Sequence, residues 1–124
     1  MVSASYQIGA INNLVHVALA SGLRMSLDEV RAMWRDIRAA CAARGMRHVL
    51  IEGEQPQERT PSADEVLLHA AHVADGPDPL RIALCLHDYR ADELTQQFVT
   101  GANRGRCSVQ VFDELGPALR WLSA

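Results

Sequence analysis

Several side chains that can carry acid–base or binding chemistry follow directly after short apolar runs of the sequence. His87 and Asp88 come after LRIALCL, and a histidine beside a carboxylate has the group types of a general base and its orienting partner. Glu52 ends another apolar run, HVLIE. The polar side chains placed at the ends of such runs, or in the loops that follow them, are Arg24, Glu52, Glu54, Arg59, Thr60, Ser62, His87, Asp88, Arg90 and Asp113.

The segment GEQPQERTPSADE, residues 53–65, offers two hydroxyl groups in a loop before a predicted helix. A helix N-terminus favours an anion, so a phosphate on Thr60 or Ser62 would be stabilised there and would change the charge presented to a partner. The same residues suit plain capping, because Pro61 fits the first helical position and Ser62 with Glu65 fits a capping box. The phospho-switch and the helix cap both stay open as interpretations.

The sequence lacks the local patterns of several catalytic and metal sites. It has no GxSxG turn, and none of Cys41, Cys85 and Cys107 lies in a thiol-enzyme signature. His69 and His72 have a spacing that two metal ligands can share on a helix, but no cysteine or third histidine lies close to them in sequence. All 12 basic residues are arginine, which excludes a P-loop, a pyridoxal Schiff base and a phospho-aspartate receiver. We therefore predict no catalytic residue set, no metal site and no cofactor.

Two further polar or reactive groups are interpreted as packing residues. Cys85 lies within the most apolar run of the chain, where burial makes a thiol unreactive. His16 lies within a predicted strand.

Hydrophobic periodicity predicts five strands and four helices. SYQIGAI and LVHVALA flank Asn12 and Asn13 and predict an antiparallel hairpin, because asparagine tolerates the positive φ of such turns. The segment from Ser26 to Gly45 predicts a helix that begins with a capping box and ends at a C′ glycine. The remaining strands are predicted at HVLIE, LRIALCL and CSVQVF, and the remaining helices at ADEVLLHAAHVA, ADELTQQFVTGANRG and GPALRWLSA.

The element order ββαβαβαβα predicts one α/β domain over residues 1–124. Strands separated by helical patterns imply right-handed crossovers, so we expect a mixed, mostly parallel five-stranded sheet with helices on both faces. Ligands of open α/β sheets bind beyond the carboxyl ends of the strands. The polar residues named above are therefore expected to lie along one rim of the sheet.

Composition narrows the classes of partner. A formal charge of −3 gives no basic surface for nucleic acid, and no apolar run is long enough to span a membrane. The start of the chain lacks the basic and apolar regions of a signal peptide, and three widely spaced cysteines suit reduced thiols. We expect a bacterial-type cytoplasmic protein.

The distal half of the chain carries a recognisable pattern, LRIALCLHDYRADELTQQFVTGANRGRCSVQVFDELGPALRWL. Its ANRG, SVQVF and ALRWL segments resemble the small bacterial proteins of the SpoIIAA-like group, relatives of the STAS domains of anti-sigma-factor antagonists. The resemblance implies a regulatory or binding domain without a cofactor, and in some members a cavity suited to apolar ligands.

The resemblance also gives the loop of Thr60 and Ser62 a role. In antagonist STAS domains, a partner kinase phosphorylates a Ser or Thr at the N-terminus of the helix after the third strand, and this position corresponds to that loop. The chain departs from the family here, because the Asp-Ser-(Ser/Thr)-Gly signature is replaced by a longer loop rich in Gln, Glu, Pro and Arg.

From these observations we expect a non-enzymatic regulatory domain that binds a protein partner. One alternative is a carrier that holds an apolar, lipid-like ligand between helices and sheet. Another is an enzyme that uses His87 and Asp88 at the rim. The first strand of the hairpin is expected at a sheet edge, where its backbone groups would allow a homodimer.

Overall fold

The computed structural model describes residues 6–19, 27–54, 79–87, 96, 99–101, 103 and 107–123, with the backbone alone at residues 27–30 and 54. Its strands and long helices are β1 (Tyr6–Ile11), β2 (Leu14–Leu19), α1 (Leu27–Arg44), β3 (His48–Glu54), β4 (Arg81–His87), β5 (Ser108–Phe112) and α2 (Leu115–Ser123). Residues 96 and 99–101 are also helical. The rest of that predicted helix, and all of the one predicted between β3 and β4, fall outside the described residues.

The strands form one five-stranded sheet in the order β1-β2-β3-β4-β5. β1 and β2 pair antiparallel, and the three following pairs are parallel. The prediction of an α/β class with a mixed, mostly parallel sheet is thus confirmed. Among the described strands, β1 and β5 are the two edges.

The hairpin of β1 and β2 turns at Asn12, which has a φ of 52°. An asparagine tolerates this left-handed conformation better than most residues, because its short polar side chain can hydrogen-bond locally. The predicted turn is therefore confirmed.

α1 ends in a Schellman motif. Gly45 has a φ of 63°, Met46 N donates to Cys41 O at 2.9 Å, and Gly45 N donates to Ala42 O at 3.4 Å. The last carbonyls of a helix receive no hydrogen bond from within it, and these two bonds supply the missing donors. Only glycine adopts the required positive φ without steric cost. The predicted C′ role of Gly45 is confirmed.

The two faces of the sheet are buried against different helices. α1 covers β1 and β2, and its Ile37 joins a core that includes Val49 and Ile51 of β3. α2 covers β3, β4 and β5, and its Leu122 joins Leu50 on the opposite face. Successive side chains of a strand point to opposite faces, so a continuous apolar run supplies both cores.

α2 is fastened to β4 by the side chain of Arg81. Its Nε donates to Trp121 O at 3.0 Å, and its guanidinium carbon lies 4.1 Å from the centre of the Trp121 ring. A cation near the last carbonyls of a helix complements the helix dipole, and the indole face adds a cation–π contact. The final tryptophan of the ALRWL segment thus joins helix to sheet.

α2 begins at Leu115, one residue before the predicted helical segment GPALRWLSA, and Pro117 lies in its first turn. Proline has no N–H group, but its absence costs little in the first turn, because N–H groups there have no acceptor within the helix.

Candidate functional site

Acidic, thiol and imidazole side chains gather at the carboxyl ends of β3 and β4. Glu52 on β3 is the register partner of Cys85 on β4, and Glu54 is the partner of His87. Cys85 and His87 are two positions apart on one strand, so their side chains point to the same face. Because Cys85 belongs to the core under α2, this is the face that α2 covers.

The side chains of this cluster lie within a few ångströms of one another. Glu52 Oε2 is 3.7 Å from His87 Nε2, and Glu52 Oε1 is 3.4 Å from His16 Nε2. One ligand atom each from Glu52, Cys85 and His87 lies within 4.8 Å of the other two. We call Glu52, Cys85 and His87 the rim cluster, and His16 touches it through Glu52.

The three residues of the rim cluster differ in exposure to solvent. Cys85 is 0% exposed, whereas the side chains of Glu52 and His87 are 26% and 51% exposed. Burial raises the pKa of the Cys85 thiol, and the negative charges of Glu52 and Asp113 raise it further. The buried thiol therefore lies close to two carboxylates, of which Asp113 is exposed.

Three residues of the sequence-predicted rim are described with their side chains. Glu52 and His87 lie together at the carboxyl ends of their strands, and Asp113 is exposed after β5 and close enough to act on Cys85. Glu54 is described by its backbone alone. The positions that lie outside the described residues are Arg24, Arg59, Thr60, Ser62, Asp88 and Arg90.

Sequence reasoning missed His16 and Cys85 as members of this neighbourhood. Apolar surroundings favour a packing role for Cys85, as a strand position does for His16, but each side chain lies beside Glu52 of the neighbouring strand β3. A usable signal was present in the Cys-x-His spacing of β4, because residues two apart on a strand share a face. The pairing with Glu52 was not readable, since it depends on register.

A cavity of about 540 Å³ lies at the other end of the sheet. Arg47 precedes β3 and Leu80 precedes β4, so the cavity stands at the amino ends of these strands. Its remaining lining comes from the carboxyl half of α1 and the turn after it, namely Arg38, Ala39, Cys41, Ala42, Gly45 and Met46. It is separate from the rim cluster.

Neither described helix combines the length and apolar character that crossing a membrane requires. The histidine pair His69 and His72 lies outside the described residues. The chain matches no protein-family model, and no curated protein and no solved structure shows significant similarity to it.

Proposed function

We propose that this chain is a non-enzymatic regulatory domain that binds a protein partner at the carboxyl rim of its sheet, as its resemblance to STAS antagonists implies. The observation that carries the proposal is the position of the rim cluster. Glu52 lies in β3 just before the segment that bears Thr60 and Ser62, and it contacts His87 of the neighbouring strand. Polar, partly exposed groups therefore stand where that segment leaves the sheet.

A change of charge at this rim would change its affinity for a partner. After burial, the charges of Glu52 and the exposed Asp113 raise the pKa of Cys85, so among the described residues negative charge lies beside this thiol. A phosphate on Thr60 or Ser62 would add up to two negative charges to the segment that follows β3. Added negative charge would weaken the docking of an acidic partner and strengthen that of a basic one.

The test is quantitative affinity capture from cells of the source organism. We expect wild-type protein to capture a partner that His87→Ala and the double variant Thr60→Glu/Ser62→Glu capture differently. Arg47→Ala is the matched control, because Arg47 is exposed at the opposite end of the sheet. Phosphopeptide mapping of the native protein should find phosphate on Thr60 or Ser62.

Equal capture by all four proteins would contradict a partner site at this rim. Turnover of a substrate that disappears in His87→Ala would instead favour the enzyme that uses His87 and Asp88. Absence of phosphate on both hydroxyls under all growth conditions would leave the helix cap as the role of the loop.

A second candidate function is the carriage of an apolar ligand, and the cavity at the amino ends of β3 and β4 favours it. Its volume of about 540 Å³ lies within the range of small-molecule sites, and Cys41, Met46 and Leu80 contribute apolar surface. Native mass spectrometry of gently purified protein should then show a co-purified mass. Ala42→Trp, which fills the cavity, should remove that mass, and its absence from wild type would exclude the carrier.

A further inference from the structure

We propose that Glu52, Cys85 and His87 form a binding site for a divalent transition-metal ion of the zinc class. The site is independent of the proposed partner function, because it requires only groups of this chain. Thiolate, imidazole and carboxylate are the three donor types that zinc takes in proteins. The three residues come from two adjacent strands whose register is set by β3–β4 pairing.

The distances suit a small cation. Zinc–ligand bonds of about 2.0–2.3 Å put neighbouring donor atoms of a tetrahedral site about 3.3–3.6 Å apart. Glu52 Oε2 and His87 Nε2 are already 3.7 Å apart. The ligand atoms of the rim cluster are at most 4.8 Å apart, so small side-chain rotations would bring all three within bonding distance of one ion. His87 has the freedom for that movement, since half of its side chain is exposed.

The donors are held by rigid elements. Glu52 and Cys85 are direct register partners in the interior of the sheet, and β4 pairs with both β3 and β5. His16 Nε2 lies 3.4 Å from Glu52 Oε1, which leaves Oε2 directed at His87. A second group that holds a ligating carboxylate is a common feature of metal sites and raises their affinity.

The local potential favours a cation. Glu52 is itself a donor of the site, and its negative charge and that of the exposed Asp113 attract a metal ion toward Cys85. On binding, the S–H bond breaks, a sulfur–metal bond forms and the proton passes to solvent. The exposed edge at His87 supplies a path of entry to the buried thiol.

The part of the chain that the structure describes supplies three protein donors, which is the number typical of an exchangeable site. Structural zinc sites are closed by four protein ligands, whereas three leave a position for water or an external ligand. The apolar cores on both faces of the sheet hold the fold without an ion. We therefore expect the metal-free protein to remain folded and to bind and release the ion reversibly.

The test is titration of chelator-treated, reduced full-length protein with Zn²⁺ against a chromophoric chelator, and with Co²⁺ monitored by absorption. We expect one equivalent to bind, with a near-ultraviolet thiolate-to-cobalt band. His87→Ala, at an exposed position, should weaken Zn²⁺ binding by at least about tenfold and keep the fold. Cys85→Ala should abolish the band.

Cys107→Ala and Cys41→Ala are matched controls, because both thiols are buried in the core on the opposite face of the sheet. Both should retain the band. No thiolate band in wild type, a band that survives Cys85→Ala, or an affinity unchanged in His87→Ala would each overturn the site. Since purified protein is used, failure here leaves partner capture untouched, and failure of capture leaves the titration untouched.

Discussion

His16 Nε2 of β2 lies 3.4 Å from Glu52 Oε1 of β3, and the other carboxylate oxygen, Oε2, faces His87. This contact reaches across the parallel pairing of two strands and restricts the rotation of the Glu52 carboxylate. We predict that His16→Ala lowers the affinity for Zn²⁺ by about 10- to 100-fold while one equivalent still binds. Competition titration with a chromophoric chelator measures both quantities.

A conservative substitution can distinguish a role of His16 in orienting Glu52 from a merely structural role. His16→Gln keeps an N–H donor and should recover part of the lost affinity. If His16→Ala and His16→Gln lower the melting temperature equally but leave the zinc affinity of the folded protein unchanged, His16 does not orient Glu52.

Gly53 of β3 lies against the side chain of Leu19 at the end of β2. A Cβ added at Gly53 would stand 2.9 Å from Leu19 Cβ, closer than real Cβ contacts. We predict that Gly53→Ala lowers the free energy of unfolding by about 1–3 kcal/mol, because the strands or Leu19 must shift. Urea denaturation followed by circular dichroism measures the change.

Gly9 of β1 is the matched control for Gly53. It is also a strand glycine without positive φ, and a Cβ there meets nothing within 4 Å. Gly9→Ala should be neutral or stabilise the protein by up to about 1 kcal/mol. Equal effects of the two substitutions would show that the contact with Leu19 does not matter.

Asn103 ties the preceding helical segment to the edge strand β5. Its Nδ2 donates to Val99 O at 2.8 Å and to Val109 O at 3.1 Å, and its Oδ1 accepts from Val109 N at 2.9 Å. We predict that Asn103→Ala costs about 1–3 kcal/mol of unfolding free energy, because backbone groups of β5 lose their partners. Hydrogen exchange should show the loss locally at the Val109 amide.

Gln110, exposed on the same strand, provides the control for Asn103. Gln110→Ala should change stability by less than about 0.5 kcal/mol. An Asn103→Ala variant as stable as Gln110→Ala, with unchanged exchange at Val109, would contradict the proposed link.

Cys41 should make stability depend on alkaline pH. Burial raises the pKa of its thiol above the usual value of 9.0, more than the charge of Arg38 lowers it. The folded state then holds the proton that the unfolded state releases, so this contribution is full below pH 9.0 and is lost as pH rises toward the folded-state pKa.

The prediction for Cys41 is measured as the slope of unfolding free energy against pH in the alkaline range. Wild type should fall more steeply than Cys41→Ala, which lacks the thiol. Identical slopes would show that the thiol does not titrate differently in the two states. Native alkylation of Cys41 should also be slow and should accelerate in urea.

Local patterns predicted most of the elements that the structure describes. The turn at Asn12 and the end of α1 at Gly45 were readable, because positive φ restricts each position to very few residue types. The mostly parallel sheet followed from helical segments between strands, since parallel neighbours need a crossover. The predicted start of α2 differed from the observed one, because the first turn of a helix accepts proline at several positions.

Half of the candidate site was also readable from the chain. Glu52 and His87 end apolar runs, and parallel strands bring their carboxyl ends to one edge, so a shared rim was predicted. Their contact was not predicted, because it depends on β3 and β4 being neighbours in the sheet. His16 and Cys85 do not end runs, and the only local signal is the Cys-x-His spacing that puts Cys85 on the same face as His87.

The sequence alone determined which residues alternate between the faces of each strand, because that period is built into extended backbone. Only the tertiary structure decided that Glu52 stands opposite Cys85 and beside His16, since register and neighbour order depend on contacts far apart along the chain. A shift of one residue in that pairing would turn Glu52 to the other face and leave the thiol without its carboxylate.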